Sequence, residues 1–384
     1  MEAGGESSTP QEDKRLFTPG PLNTRLEVRQ AMLRDLGSRD ATFISTVKDI
    51  RRGLLELAGV SDEVFTAVPM QGSGTFSVEA VLQTASPRDG AKVLILSNGA
   101  YGRRQAKVCE AAGIPYILRE FPEDRALDVS AAEELLASDS FTTVTAVHCE
   151  TSSGVLNPVQ KIGQAVRRLQ PHAAFVVDSM SAFGAVPLDL EEAGVDYLVS
   201  SANKCIEGVP GFAFAICRLK HLETTKGNSR SLSLDLYEQW FNLESTGQFR
   251  FTPPTHTMLA FHCALQHLLS AGGVAAQAER YRSNNATVKR GLTELGFRQL
   301  VRDGDDCYII TSFLCPSDPL FSFSELYQRL SERGLVIYPG KVTEADCFRV
   351  GNIGDLHQED MVRLVEGVRD VLKEMGVTTP VSYD

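Results

Sequence analysis

An aspartate and a lysine each follow a short apolar run near the middle of the chain. Phe175-Val-Val-Asp178 ends in the carboxylate, and Tyr197-Leu-Val-Ser200 leads into Lys204. Short apolar runs bounded by Gly, Pro and polar residues are typical of buried strands, and open α/β sheets build their sites just beyond strand ends. An acid that keeps a ring nitrogen protonated and a lysine that forms an imine are the two groups that pyridoxal phosphate chemistry needs. The sequence therefore predicts a catalytic pair.

The alternative is that both residues are ordinary surface charges, as most Asp and Lys residues are in an acidic protein. The surroundings of Lys204 argue against this. It lies between the run ending at Ser200 and a second apolar run, Gly211 to Cys217, in a stretch with few other charges. A lysine that only solvates the surface is less expected there.

A glycine-rich turn offers a place for a phosphate. Gln71-Gly-Ser-Gly-Thr-Phe76 follows a predicted strand and precedes a helical pattern, an arrangement that presents free backbone N–H groups to an anion. Ser73, Gly74 and Thr75 are the candidate contacts. The turn is not a Walker A motif, because no Gly-Lys-Ser/Thr follows. An N-cap with glycines that only serve the turn remains the alternative.

Two further residues occupy positions where a side chain can face a crevice. Tyr101 follows the predicted strand Lys92 to Leu96 and has glycines on either side; it could stack on a flat cofactor, although a lone aromatic is more often part of a core. Arg349 stands between apolar residues just before a glycine. Its guanidinium suits a planar or tetrahedral anion, and a buried ion pair is the alternative.

Composition limits the classes of function. The chain has 384 residues, 43% hydrophobic and 23% charged, with a net charge of −11. That charge disfavours non-specific binding of nucleic acid. The sequence contains no run of 18 apolar residues, so it predicts no membrane span. The eight cysteines are scattered without a Cys-x-x-Cys pair, so we expect reduced thiols in the cytoplasm and no metal site.

The order of predicted elements indicates two domains after a disordered, acidic lead-in at 1–15, which lacks the features of a targeting peptide. Strands alternate with helices as far as Cys217, which predicts a mostly parallel sheet with right-handed crossovers. A long helix from His256 closes at Gly272-Gly273. We therefore expect a large domain at 16–272 and a smaller α+β domain at 273–384.

The chain resembles the class V, fold-type I pyridoxal phosphate-dependent aminotransferases. The resemblance covers about residues 16 to 356 and implies an α/β fold with a large, mostly parallel domain and a small C-terminal α+β domain. The matching stretches include Thr18-Pro-Gly-Pro21, Gln71-Gly-Ser-Gly-Thr75, Asn98-Gly-Ala-Tyr-Gly102, His148-Cys-Glu-Thr151, Ser201-Ala-Asn-Lys-Cys205, Gly208-Val-Pro-Gly211, Arg250-Phe-Thr-Pro-Pro-Thr-His256, Tyr338-Pro-Gly-Lys341 and Phe348-Arg349.

The resemblance implies a role for each candidate toward the cofactor, pyridoxal 5′-phosphate. Lys204 would carry it as an imine, and Asp178 would pair with its ring nitrogen. Tyr101 would stack on the ring, and Thr151 would lie near the ring hydroxyl. The phosphate would be held by Ser73, Gly74 and Thr75.

The resemblance also implies roles toward the substrate and a second subunit. Arg349 would bind the acidic end of the substrate. Thr252 would reach the phosphate of the neighbouring subunit, so that the active unit would be a homodimer with its site at the subunit interface.

Two stretches are more specific than the motifs shared by the whole family. They are Leu232-Ser-Leu-Asp-Leu236 and Phe251-Thr-Pro-Pro-Thr-His256. They are similar to those of members that transfer the amino group of 2-aminoethylphosphonate to pyruvate, giving phosphonoacetaldehyde and L-alanine. Another class V aminotransferase, acting on alanine and glyoxylate or on serine and pyruvate, remains the alternative. A nucleotide-binding or interaction protein with the same kind of sheet is the alternative from outside the family, and it would be colourless.

Overall fold

The computed structural model describes residues 13–383. Its strands form a seven-stranded central sheet, a three-stranded sheet and two small two-stranded sheets. The strands are β1 (Arg15–Leu16), β2 (Phe65–Gln71), β3 (Val93–Ser97), β4 (Tyr116–Glu120), β5 (Thr143–Val147), β6 (Cys149–Glu150), β7 (Val155–Leu156), β8 (Ala174–Asp178), β9 (Tyr197–Ser201), β10 (Phe212–Arg218), β11 (Ile310–Leu314), β12 (Leu335–Val336), β13 (Tyr338–Pro339) and β14 (Cys347–Gly351).

Capping residues define the ends of several helices, as the second helix shows. The side chain of Asp40 caps the N-terminus of the long second helix by accepting from Thr42 N–H at 2.7 Å, and Gly59 ends it with a φ of 68°, a left-handed value that glycine adopts readily. The helices are α1 (Leu26–Gln30), α2 (Ala41–Ala58), α3 (Gly74–Ala85), α4 (Ala100–Ala111), α5 (Val129–Ser138), α6 (Val159–Leu169), α7 (Leu219–Leu222), α8 (Leu236–Thr246), α9 (Thr255–Ser270), α10 (Gly273–Glu294), α11 (Phe323–Glu332) and α12 (Gln358–Met375).

The central sheet has the strand order β2-β10-β9-β8-β5-β3-β4. Strands β9, β8, β5, β3 and β4 pair in parallel, whereas β10 runs antiparallel to both of its neighbours, β2 and β9. The inner strands β3, β5 and β8 are buried at every position, as expected where helices cover both faces. The predicted mostly parallel α/β sheet is therefore confirmed.

A second hydrophobic cluster lies around the antiparallel sheet β11-β14-β13, with α10, α11 and α12 packed beside it. Its members run from Val288 to Val381, together with Phe17 from the start of the chain. The core of the central sheet instead runs from Val28 to Leu268. The proposed boundary between residues 272 and 273 falls between these two sets and stays a prediction.

The predicted lead-in at 1–15 lies outside the described residues as far as residue 12. Arg15 is described, and it pairs with Leu335 where β1 joins β12. Two short helices continue directly into 3₁₀ turns. Helix α1 is followed by the turn Ala31–Leu33, and α7 by the turn Glu223–Thr225. Helices this short are marginal without packing.

Among residues 13–383, no single helix has both the length and the apolar composition that a membrane span needs; α9 and α10, which meet at 87°, satisfy the criterion only as a pair.

Candidate active site

The carboxyl ends of β2, β5, β8 and β9 meet at one edge of the central sheet, and the antiparallel β10 begins at that edge. A cavity of about 190 Å³ opens there. Seven of the residues predicted from sequence line it. They are Ser73, Gly74, Thr75, Tyr101, Thr151, Asp178 and Lys204.

Lys204 follows β9 and is held by the N-terminal part of the chain. Its Nζ donates to the carbonyl of Pro19 at 2.5 Å. A Cβ added to Gly20 would lie 2.9 Å from that Nζ, and Gly20 has a φ of 114°, so the close approach requires glycine. Burial lowers the pKa of the Lys204 amine. A larger share of the amine is therefore neutral, and able to act as a nucleophile or base, than for an exposed lysine.

Asp178 is the last residue of β8 and is buried beside the same cavity. The N–H of Met180 donates to Oδ1 at 3.1 Å, and the amide of Gln105 donates to Oδ2 at 3.4 Å. Burial raises the pKa of the Asp178 carboxyl, although these two donors and the charges of Arg104 and Lys204 oppose the rise. The carboxyl group is thus placed to share a proton with a partner in the cavity.

The N-terminus of α3 lies at one corner of the cavity. The first N–H groups of a helix have no acceptor within the helix, and the N-cap residue Ser73 makes no side-chain capping bond to them. A guanidinium N–H of Arg104 donates to Oγ1 of Thr75 at 3.3 Å. Backbone donors, two hydroxyls and a guanidinium suit a phosphate. By position Ser73 is the N-cap residue of α3, so its role toward a phosphate stays a prediction.

Tyr101 lies in the first turn of α4, and Glu150 fixes that turn. Oε2 of the fully buried Glu150 accepts from the N–H groups of Tyr101 and Gly102 at 3.2 and 3.4 Å. Burial alone would raise the pKa of the Tyr101 hydroxyl, but the charges of Lys341 and Lys204, together with hydrogen bonding to the hydroxyl, lower the pKa below its usual value.

Arg349 lies on β14 and reaches the same cluster from the second sheet. Its Nε donates to the carbonyl of Pro339 at 2.9 Å and its Nη1 to the carbonyl of Thr151 at 2.7 Å. The side chain is 4% exposed. Within the described part of the chain it makes no ion pair, so the alternative of a buried ion pair is not what the structure shows. Arg349 contacts Thr151, a lining residue, but does not line the cavity itself.

Thr252 lies apart from these residues, exposed on the extended segment between α8 and α9. Its carbonyl accepts from the amide of Gln71 at 3.3 Å. The structure contains one chain, so the predicted contact with a neighbouring subunit stays a prediction.

Sequence reasoning missed several residues that support the site. Arg104 and Gln105 lie three and four positions after Tyr101 on α4, a spacing that places them beside it and that could have identified them. Glu150 and Pro19 gave no such signal, because their contacts with Tyr101 and Lys204 are far apart in sequence.

Comparison with known proteins identifies the family. Residues 26–343 match the family model described as aminotransferase class-V. This chain belongs to the class V aminotransferase family. The aminotransferase is 47% identical to the protein named 2-aminoethylphosphonate–pyruvate transaminase from Syntrophobacter fumaroxidans, over 371 residues that cover 96% of this chain and 99% of that protein. It is also 47% identical to the protein of the same name from Salmonella heidelberg, over 93% of this chain and 97% of that one.

Solved structures show the same fold. Pyridoxamine–pyruvate aminotransferase from Mesorhizobium loti matches with a TM-score of 0.87 at 23% identity, over 97% of this chain and 95% of that one. Aspartate aminotransferase from Thermus thermophilus matches with a TM-score of 0.84 at 23% identity, over 94% and 99%. The predicted fold-type I architecture is therefore confirmed.

Pyridoxal 5′-phosphate is the cofactor of this aminotransferase, and the residues present fit it. The free N–H groups at the start of α3 and the guanidinium of Arg104 could donate to its phosphate. The carboxyl group of Asp178 could pair with a protonated ring nitrogen, and the buried amine of Lys204 could react with the aldehyde. Gly74 and Met180 lie next to each other in the lining of the cavity, so the backbone at the start of α3 is open to the space that the phosphate would occupy.

Proposed function

We propose that this aminotransferase transfers the amino group of 2-aminoethylphosphonate to pyruvate, giving phosphonoacetaldehyde and L-alanine, a step in phosphonate degradation. The observation that carries the proposal is the 47% identity to transaminases of that name over nearly the whole chain. The site supports it, since it holds a buried arginine with no carboxylate partner among the described residues.

When bound, the cofactor supplies an aldehyde that takes up amines and a ring that accepts electrons from the substrate carbon. Lys204 is proposed to attach the cofactor and then, as a free amine, to move a proton from the substrate carbon. Its lowered pKa favours the neutral form needed for this step. Asp178 is proposed to hold the proton on the ring nitrogen, oriented by Met180 and Gln105.

The remaining residues are proposed to bind and orient. Ser73, Gly74 and Thr75 hold the phosphate at the start of α3, and Tyr101 packs against the ring with Thr151 beside its hydroxyl. Arg349 binds the phosphonate of 2-aminoethylphosphonate and the carboxylate of pyruvate in turn, because the N–H groups of a guanidinium can donate to either anion.

An amino-donor screen tests the substrate assignment. Purified enzyme with its cofactor is mixed with 2-aminoethylphosphonate, alanine or serine in the absence of a keto acid, and the visible absorbance is followed. We expect 2-aminoethylphosphonate to discharge the absorbance fastest, and pyruvate to restore it. Faster discharge by serine would instead support the serine–pyruvate alternative, which the shared fold and lysine leave open.

We also propose a homodimer in which Thr252 completes the site of its neighbour. Three large apolar side chains of this region are exposed: Phe251, which precedes Thr252, is 45% exposed, Phe76 50% and Leu232 76%. The side-chain amide of Gln71 donates to the carbonyl of Phe251, and the guanidinium of Arg250 donates to the carbonyl of Leu232. Light scattering after gel filtration tests the dimer. A Thr252→Ala chain mixed with an inactive Lys204→Ala chain tests the shared site, because subunit exchange should restore one intact site in each mixed dimer.

A cytoplasmic location is proposed as well. The eight cysteines are all free in the structure, as is usual in a reducing compartment. Fractionation of the native cells, followed by immunoblotting, tests this.

A further inference from the structure

Tyr101 lies within a group of cationic side chains. Nζ of Lys341 is 3.3 Å from the Tyr101 hydroxyl and 4.3 Å from the centroid of its ring. The guanidinium carbon of Arg104 is 4.9 Å from the same centroid. Thr151 lines the same cavity as Tyr101, and its carbonyl accepts from Nη1 of Arg349 at 2.7 Å. Lys341 and Arg349 therefore each contact a residue that lines the cavity, although neither lines it itself. Lys341 follows β13, and Arg349 lies on the neighbouring strand β14.

Lys341 has no carboxylate within ion-pairing distance in the range 13–383; the lysines that do form ion pairs there are Lys92 and Lys289. The two buried carboxyl groups nearest the cavity are engaged elsewhere. Asp178 accepts from Met180 and Gln105, and Glu150 accepts from the start of α4. The charge of Lys341 is therefore available for an anion.

The position of Lys341 is fixed on both sides. Before it, Gly340 packs so tightly on β14 that an added Cβ would lie 2.2 Å from the carbonyl of Cys347. After it, the N–H of Thr343 donates to Oε2 of Glu123 at 2.8 Å, and that carboxylate is also paired with Arg103. A cation held in place by its neighbours loses less entropy on binding than a free surface lysine.

We propose that Lys341 is a specificity-determining residue that pairs with the second negative charge of a phosphonate bound at Arg349. The inference rests on the proposed function and extends it. One guanidinium fork balances the single charge of a carboxylate such as pyruvate. A phosphonate has a third oxygen and, like a phosphate monoester, gains a second charge near neutral pH. A second cation therefore stabilises the dianion more than the monoanion.

Ethylphosphonate and propionate are the probes, because they are the same length, lack the amino group and differ in the acid. Their affinities are measured by calorimetry on the enzyme with its cofactor, for the wild type, Lys341→Met and Lys341→Arg. Lys161→Met is the control, because it removes one positive charge from an exposed position on α6. We expect Lys341→Met to lower the affinity for ethylphosphonate by roughly tenfold or more and the affinity for propionate by much less. Lys341→Arg should keep most of the preference for ethylphosphonate over propionate.

A pH series gives a second measurement. As the pH rises from about 5 to about 8, ethylphosphonate gains its second charge, and the wild type should bind it increasingly well relative to propionate. The other charged or titratable groups around Lys341 are the same in every variant; they are Tyr101, Arg104, Glu150, Asp178, Lys204 and Arg349. In Lys341→Met the rise should flatten.

Each contrary outcome has a distinct meaning. An equal loss of both probes in Lys341→Met would indicate a distorted cavity and overturn the inference, and so would an unchanged preference for ethylphosphonate. A wild type that binds both probes equally would overturn the phosphonate substrate itself, and the inference with it.

Discussion

The N–H of Glu207 donates to the carbonyl of Lys204 at 2.8 Å, which closes the turn that carries the catalytic lysine. Glu207 has a φ of 64°, a value uncommon for residues other than glycine. Its buried carboxylate holds it there. It accepts from the hydroxyl of Tyr281 at 2.6 Å and from the amide of Gln277 at 2.9 Å, and it pairs with Arg280. The helix α10 thus fixes the lysine turn.

Replacing Glu207 with Gln should disturb Lys204 without touching the cavity. The change keeps the size of the side chain but leaves Arg280 without its charge partner, and loss of one member of a buried pair costs roughly 3–5 kcal/mol. We expect a lower melting temperature, a lower kcat with KM little changed, and a shifted pH dependence of the visible absorbance of the attached cofactor. Glu279→Gln, at an exposed position of the same helix, is the control. A lower melting temperature with an unchanged absorbance titration would show that Glu207 serves stability only.

Lys204→Ala should abolish attachment of the cofactor. Borohydride reduction followed by mass spectrometry should find no pyridoxyl group at position 204, and turnover should fall by at least roughly 10²-fold, because the proton-transfer group is lost. Lys161→Ala, on the exposed face of α6, should behave as the wild type. Normal turnover in Lys204→Ala would remove the residue from the mechanism.

Arg349→Ala should weaken both half-reactions while the cofactor stays bound, because the proposed anion contact serves donor and acceptor alike. Loss of a charge-assisted hydrogen bond predicts roughly a ten- to hundredfold increase in KM for 2-aminoethylphosphonate and for pyruvate. The substitution also frees the carbonyls of Thr151 and Pro339, so Arg349→Lys, which retains the charge, separates anion binding from packing. Ordinary KM values in both variants would contradict the role.

The local pattern of the sequence was enough to predict the strands and the two central residues. Buried strands appear in the sequence as short apolar runs. Asp178 and Lys204 come at or after the ends of two such runs, and these two runs form the neighbouring strands β8 and β9. The direction of β10 was not predictable in this way, because an apolar run does not indicate its orientation. The contacts of Glu207 with Tyr281 and of Arg349 with Thr151 join distant parts of the chain. Such pairs depend on tertiary packing, and a single sequence does not reveal them.

His148 should make the protein sensitive to acid. It follows β5, its Nδ1 lies 3.1 Å from the hydroxyl of Ser179, and burial lowers its pKa from 6.5 to about 4. A group whose pKa is lower in the folded state takes up its proton more readily when unfolded. Its contribution to stability is therefore complete above pH 6.5 and is lost as the pH falls toward 4.

The His148→Gln variant should lose less stability on acidification than the wild type. Between about pH 7 and about pH 5 the difference in the free energy of unfolding should be about 2 kcal/mol, measured by urea titration. Burial raises the pKa of Asp178 and of Glu150, so these two carboxyl groups act in the opposite sense, but they are present in both proteins and largely cancel in the comparison. His172→Gln, at an exposed position, is the control. Parallel stability curves for His148→Gln and the wild type would show that the buried imidazole does not cause the acid sensitivity.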